Sequence, residues 1–175
     1  MSKVLVVFYS HTGTSRKVAE LLCQHHGWTL AEITDELPRR GLPGYLRSVL
    51  DSMLRRCPPI RYDGPLPKSF DAVVLVSPIW AWRLASPMRS FVMRRQDHLP
   101  DVAVISVMGG GGAANAVDEV SRILGRAPLL HAAFTQREVE SGSHAQRLQS
   151  FGEELVRAEG AHRPAHPVTL NQQTA

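Results

Sequence analysis

Two cysteines in 175 residues, Cys23 and Cys57, are too few for a disulfide framework and lack the paired spacing of a zinc site. A reducing compartment is therefore expected. No apolar run approaches the roughly 20 residues that would cross a bilayer. The start, Met1-Ser2-Lys3, leads into a short apolar run with no small-residue cleavage site behind it. A cytoplasmic chain without an export signal or a membrane span is the expectation. Missing too are the Gly-x4-Gly-Lys-Ser/Thr run of nucleotide hydrolases, the nucleophile elbow of serine hydrolases and any Cys/His cluster, so those three chemistries lack their minimal parts. Acidic residues fall slightly short of basic ones, 16 against 20, giving a net charge of +4. The densest basic stretch, Arg39, Arg40, Arg47, Arg55, Arg56 and Arg61, carries no series of interleaved aromatic rings on which single strands stack. It reads as a solvated face, and no nucleic-acid partner is expected.

What is present is an alternation of two periods. Lys3–Tyr9 is apolar on both alternations, as in a parallel strand covered by helices on both faces. Similar runs occur at Trp28–Ile33, Phe70–Val76, Val102–Val107 and Leu129–Phe134, each separated by enough chain for a crossover helix. Val18, Leu21, Leu22 and His25 mark a first helix ended at Gly27. Tyr45, Leu46, Val49, Leu50, Met53 and Leu54 form an apolar stripe before Pro58-Pro59. Ser86-Pro87 reads as an N-cap with proline at the first helical position. A fourth helix is predicted over 113–124, stopped by Gly125, and a fifth over 143–159, stopped by Gly160. Five βα units imply an α/β, three-layer, doubly wound sheet of five parallel strands. One domain over residues 1–160 and a frayed tail over 161–175 complete the expected organisation.

Ligands of such sheets bind beyond the carboxyl ends of the strands, where strand order reverses. Three loops lie there: Ser10 to Ser15, Ser77 to Ser86 and Met108 to Asn115. The first, Ser10-His11-Thr12-Gly13-Thr14-Ser15, offers a phosphate four hydroxyls, free backbone N–H groups and the positive end of a helix, with Gly13 allowing a tight curl. A plain Ser/Thr cap needs one hydroxyl, not four. In the second, Ser77-Pro78-Ile79-Trp80-Ala81-Trp82, the tryptophans read as flanks for a planar ring, Trp80 before Trp82. In the third, Met108-Gly109-Gly110-Gly111 lets backbone approach a flat ligand. Arg83 and Arg89 fall near the expected ring edge and read either as attractants for cofactor phosphates or, as is commoner, as plain exposed side chains. Cys23 reads as a small buried hydrophobe, and Cys57 as an exposed thiol without an activating neighbour.

The run Val-Val-Phe-Tyr-Ser-His-Thr-Gly-Thr-Ser resembles the flavin-phosphate signature of the flavodoxin family, and the similarity extends over residues 3–158. The resemblance implies a flavodoxin-like sheet of order 2-1-3-4-5 and a bound flavin mononucleotide (FMN). It makes Ser10, Thr12, Thr14 and Ser15 the phosphate ligands, with His11 and Gly13 contributing backbone. The His11 side chain replaces the Ser/Thr often found there and reads as an exposed spectator. Pro78-Ile79-Trp80 is similar to the flavin-facing segment of the quinone-reductase-like members. By this resemblance the chain is an electron carrier or a reductase using NAD(P)H on a quinone-like acceptor. Its partner is then a redox protein or a small acceptor, with a homodimer left open. Carriers of the family are typically acidic, so the basic balance leans toward a reductase. Two other readings stay open: a flavin-bound redox sensor or assembly module, and a phosphate-binding pseudo-enzyme, because Ser10 and Arg16 are spaced like the Cys-x5-Arg loop of small tyrosine phosphatases with serine in the nucleophile's place.

Overall fold

The computed structural model describes residues 2–36 and 50–162. In chain order these form β1 (Val4–Tyr9), α1 (Thr14–His26), β2 (Thr29–Asp35), β3 (Ile60–Tyr62), β4 (Ala72–Trp80), β5 (Arg83–Leu84), α2 (Ser86–Arg95), β6 (Asp101–Met108), α3 (Ala113–Leu124), β7 (Leu130–Thr135), α4 (Gln136–Ser141) and α5 (Ala145–His162). The parallel strands run in the order β2-β1-β4-β6-β7, which is the expected 2-1-3-4-5 when the five are counted alone. Two short antiparallel strands add to the expected five. β3 extends the β2 edge through Ile33 opposite Tyr62, and β5 folds back on the end of β4 through Trp80 opposite Arg83.

Alternation along the central strands divides the interior into two layers. Leu5, Val7, Val73, Leu75 and Val104 face Met88, Phe91 and Val92 of α2 and Ala116 and Val120 of α3. Val4, Val6, Val74, Val76 and Ile105 face Val18 and Leu22 of α1 and Leu148, Phe151 and Leu155 of α5. Both faces are covered, which is why β1 and β4 read as unbroken apolar runs.

Several boundaries differ from the sequence reading. Ser86 is the first helical residue of α2, with Ala85 as the N-cap and Pro87 one position further in. α5 passes through Gly160 and ends at His162, because glycine weakens a helix by only about 1 kcal/mol and does not by itself end one. α4 is an additional helix, started by a capping box in which Thr135 and Glu138 exchange side-chain and backbone hydrogen bonds. Of the amphipathic stripe over 45–54, residues 50–53 are helical, while Tyr45, Leu46 and Val49 lie outside the described residues. Arg39, Arg40, Arg47 and the tail from residue 163 lie outside them as well. Among the described residues no helix is long and apolar enough to cross a membrane.

Candidate ligand site

β1, β4 and β6 end side by side, and a cleft of about 290 Å³ opens over their carboxyl ends. Ser10, His11, Thr12, Thr14 and Ser15 form one wall. Pro78, Ile79 and Trp80 form the second, and Val107, Met108 and Gly109 the third, with Gln136 of α4 closing the end. The crevice beside β1 is where the strand order reverses, as the general rule for open α/β sheets requires.

The first wall is an uncapped helix terminus. Gly13 holds φ +91°, a left-handed conformation that a side chain would strain, and it serves as the N-cap of α1 without any side-chain capping bond. Its own N–H donates to Ser10 Oγ at 3.1 Å, and its carbonyl accepts the first helical bond from Lys17 at 3.1 Å. Among the described residues the N–H groups of the first turn thus have neither helical acceptors nor a capping oxygen, and no acidic side chain lies in that turn. Thr12 and Thr14 hydroxyls lie 3.3 Å apart at the mouth of the loop. Ser15 is buried, 2% exposed, yet lines the cleft, and its hydroxyl has no hydrogen-bond partner among the described residues. The hydroxyls are therefore not spent on capping. They surround a terminus that favours an anion.

Trp80 is almost buried and stands edge-on to Tyr9, with ring centroids 5.5 Å apart, and to His11 at 6.0 Å. The Tyr9 hydroxyl in turn donates to Asp35 Oδ2 at 2.7 Å, which fixes the ring behind Trp80. Trp82 behaves differently. Ala81 and Trp82 form the two-residue turn between β4 and β5, both with positive φ, 48° and 59°. That turn swings Trp82 away from the cleft onto the glycine loop, where it is 68% exposed. Asn115 Nδ2 donates to the Trp82 carbonyl at 3.0 Å and pins the turn to the start of α3.

Of the residues read from the sequence, Ser10, His11, Thr12, Thr14, Ser15, Pro78, Ile79, Trp80, Met108 and Gly109 meet around one cleft. Gly13 shapes it through backbone. Ser77 is buried within β4, with its hydroxyl on the Pro78 carbonyl, and Ala81, Trp82, Gly110 and Gly111 lie outside the lining. Val107 and Gln136 line it without having been singled out; Gln136 was signalled by the Thr-x-x-Glu capping box that places it. His11 is exposed, as read, and lines the cleft in ring contact with Trp80. Arg89 is not at a ring edge. It is 2% exposed, ion-paired with Glu119 and bonded to the carbonyls of Leu84, Ser52 and Arg56. Arg16 turns its guanidinium to Glu32 on β2 and over the Phe8 ring, and does not line the cleft. Burial, with Glu20 nearby, pushes the Cys23 thiol up to about 12, so it is an inert apolar group. Cys57 is exposed, with its thiol on the Met93 sulfur at 3.2 Å.

No protein-family model matches the chain, and no curated protein does so at a significant level. Solved structures do. A flavoprotein from Lactobacillus acidophilus, determined in complex with FMN, is 21% identical, with a TM-score of 0.68 over 82% of this chain and 99% of that one. A flavodoxin, WrbA-like protein from Agrobacterium tumefaciens is 12% identical, with a TM-score of 0.59 over 93% of this chain and 100% of the other. An NAD(P)H:quinone oxidoreductase from Methanothermobacter marburgensis is 17% identical, with a TM-score of 0.50 over 94% and 98%. At these identities the likeness is one of architecture, and the chain has the flavodoxin-like fold.

Proposed function

We propose that this chain is an FMN-binding redox protein, either an electron carrier or a reductase that uses NAD(P)H on a quinone-like acceptor. The observation that carries the proposal is the start of α1: its N-terminal amides are uncapped and lie beside the hydroxyls of Thr12, Thr14 and the buried Ser15. A phosphate monoester fits that donor set, which is rich in N–H and O–H groups and free of carboxylates. The neighbours that bind FMN or reduce quinones support the same reading by analogy of fold.

On this reading Ser10, Thr12, Thr14, Ser15 and the backbone from Gly13 onward hold the phosphate. Trp80, Ile79 and Met108 exclude water from one side of the ring and fix its plane, and Gly109 leaves room for close backbone approach. FMN, when bound, supplies one- and two-electron chemistry, and the chain supplies position and potential. The FMN-binding unit is taken as residues 1–160, drawn out to His162 by the end of α5. The slight excess of basic residues favours the reductase branch over an acidic carrier.

Protein reconstituted with FMN and passed through gel filtration should retain one yellow equivalent that bleaches under dithionite and recovers in air. Colourless protein would contradict the proposal. Oxidation of NADH or NADPH by the loaded protein with a quinone series then separates reductase from carrier, since a carrier gives no turnover.

A further inference from the structure

Among the described residues, His11 is the one side chain lining the cleft that can carry a charge. The walls from β4 and β6 present Pro78, Ile79, Trp80, Val107, Met108 and Gly109, and α4 presents Gln136; none of these titrates. Charged groups on the same elements are engaged elsewhere or face outward. On α1, Arg16 pairs with Glu32, and Lys17 is exposed. Behind Tyr9, Asp35 accepts the phenol. On α4, Glu138 is held by Thr135 and Arg147, and Arg137 is exposed. On β5, Arg83 stands opposite Trp80 in the β4–β5 pairing and is not part of the cleft lining. His11 shares its loop with the hydroxyls that surround the α1 terminus, lines the same cleft, and has its ring set edge-on against Trp80.

We infer that His11 is the specificity and counter-charge residue for the phosphate, an inference that rests on the FMN reading above. Every other donor that the described residues bring to the cleft is neutral, so among them imidazolium is the one ionic partner for the dianion. Histidine changes charge between about pH 5 and 8, while a phosphate monoester completes its ionisation near pH 6. Because a rise in pH takes the charge off histidine, FMN affinity should fall with it.

The test compares FMN with riboflavin on the wild type, His11→Asn and His11→Lys at about pH 6.5 and pH 8.5. The wild type should bind FMN about three- to tenfold tighter than His11→Asn at the lower pH, with the two converging at the higher, the scale of an exposed pair against a doubly charged group. His11→Lys should hold its FMN affinity at both pH values. The quantity compared is the ratio of FMN to riboflavin affinity for each protein, which cancels any contact of His11 with the ring system, and circular dichroism reports correct folding. Calorimetry in two buffers of different ionisation enthalpy should register net proton uptake on binding FMN at about pH 7.5 for the wild type and none for His11→Asn. If FMN outbinds riboflavin but His11→Asn matches the wild type at both pH values, or no proton is taken up, the inference fails and the FMN reading stands. If FMN binds no better than riboflavin, the FMN reading fails and this inference with it.

Discussion

A methyl group on Gly112 would lie 2.6 Å from the Cα of Trp82. The glycine loop and the 81–82 turn are thus packed backbone to backbone, and Gly112 also holds φ +102° at the N-cap of α3. Gly112→Ala meets both a clash that no rotamer relieves and left-handed strain. It should destabilise the protein by about 2–4 kcal/mol. Urea unfolding measures the loss, and a blue or red shift of tryptophan emission should report the displaced Trp82. A variant as stable as the wild type would show that the two loops are not in this contact.

Glu119 and Arg89 form a buried pair between α3 and α2, 4% and 2% exposed, and Arg89 also ties down carbonyls of the β5 and 50–56 segments. Removing one partner strands the other charge in the interior. Glu119→Ala should cost about 3–5 kcal/mol, and the double variant Arg89→Met, Glu119→Leu should recover part of it. Denaturant midpoints of the three proteins check the order. A Glu119→Ala protein within experimental error of the wild type would mean the pair is hydrated.

His26 lies at the far end of the molecule, stacked on Trp28 at 4.6 Å, with its Nε2 buried and unpartnered. Burial, and then the neighbouring His25, hold it below the usual 6.5, against smaller opposing effects of the Gln149 backbone and Glu153. The folded state therefore resists the proton that the unfolded chain accepts. Above pH 6.5 both states are neutral and nothing is lost; as pH falls from there through the lowered folded value, stability drops. His26→Gln should flatten that acid limb in unfolding curves taken across the range. An unchanged limb would assign the loss to other groups.

Thr12 offers its hydroxyl at the mouth of the loop without a capping duty. Thr12→Val keeps the branched shape and removes the hydroxyl, so FMN binding should weaken by about 1–3 kcal/mol, the scale of one hydrogen bond to a charge. Fluorescence titration reads it directly. Undiminished affinity would remove Thr12 from the phosphate ligands.

The five parallel strands were legible because burial on both faces leaves an apolar run that turn chemistry cannot imitate. That the loop from Ser10 to Ser15 lines the cleft was legible for a related reason, an excess of hydroxyls over what a cap needs. β3 and β5, three and two residues long, are too short to carry a period. The 81–82 turn carried no signal, because Ala and Trp are not residues that ordinarily supply positive φ; without the turn, Trp82 reads as a continuation of the cleft wall. Arg89 misled for the opposite reason: arginine is seldom fully buried, and only the acid on α3 makes its burial tolerable. Gln136 was within reach, since Thr135 and Glu138 spell a capping box directly after β7.

The most direct test of the central claim is titration of the FMN-free protein with FMN and, separately, riboflavin, followed by quenching of flavin fluorescence. The two differ only in the phosphate that the α1 terminus is argued to hold. Tight 1:1 binding of FMN with riboflavin weaker by at least about a hundredfold, two or more charge-assisted hydrogen bonds' worth, is the predicted result. Equal affinities, or no binding of either, would contradict it.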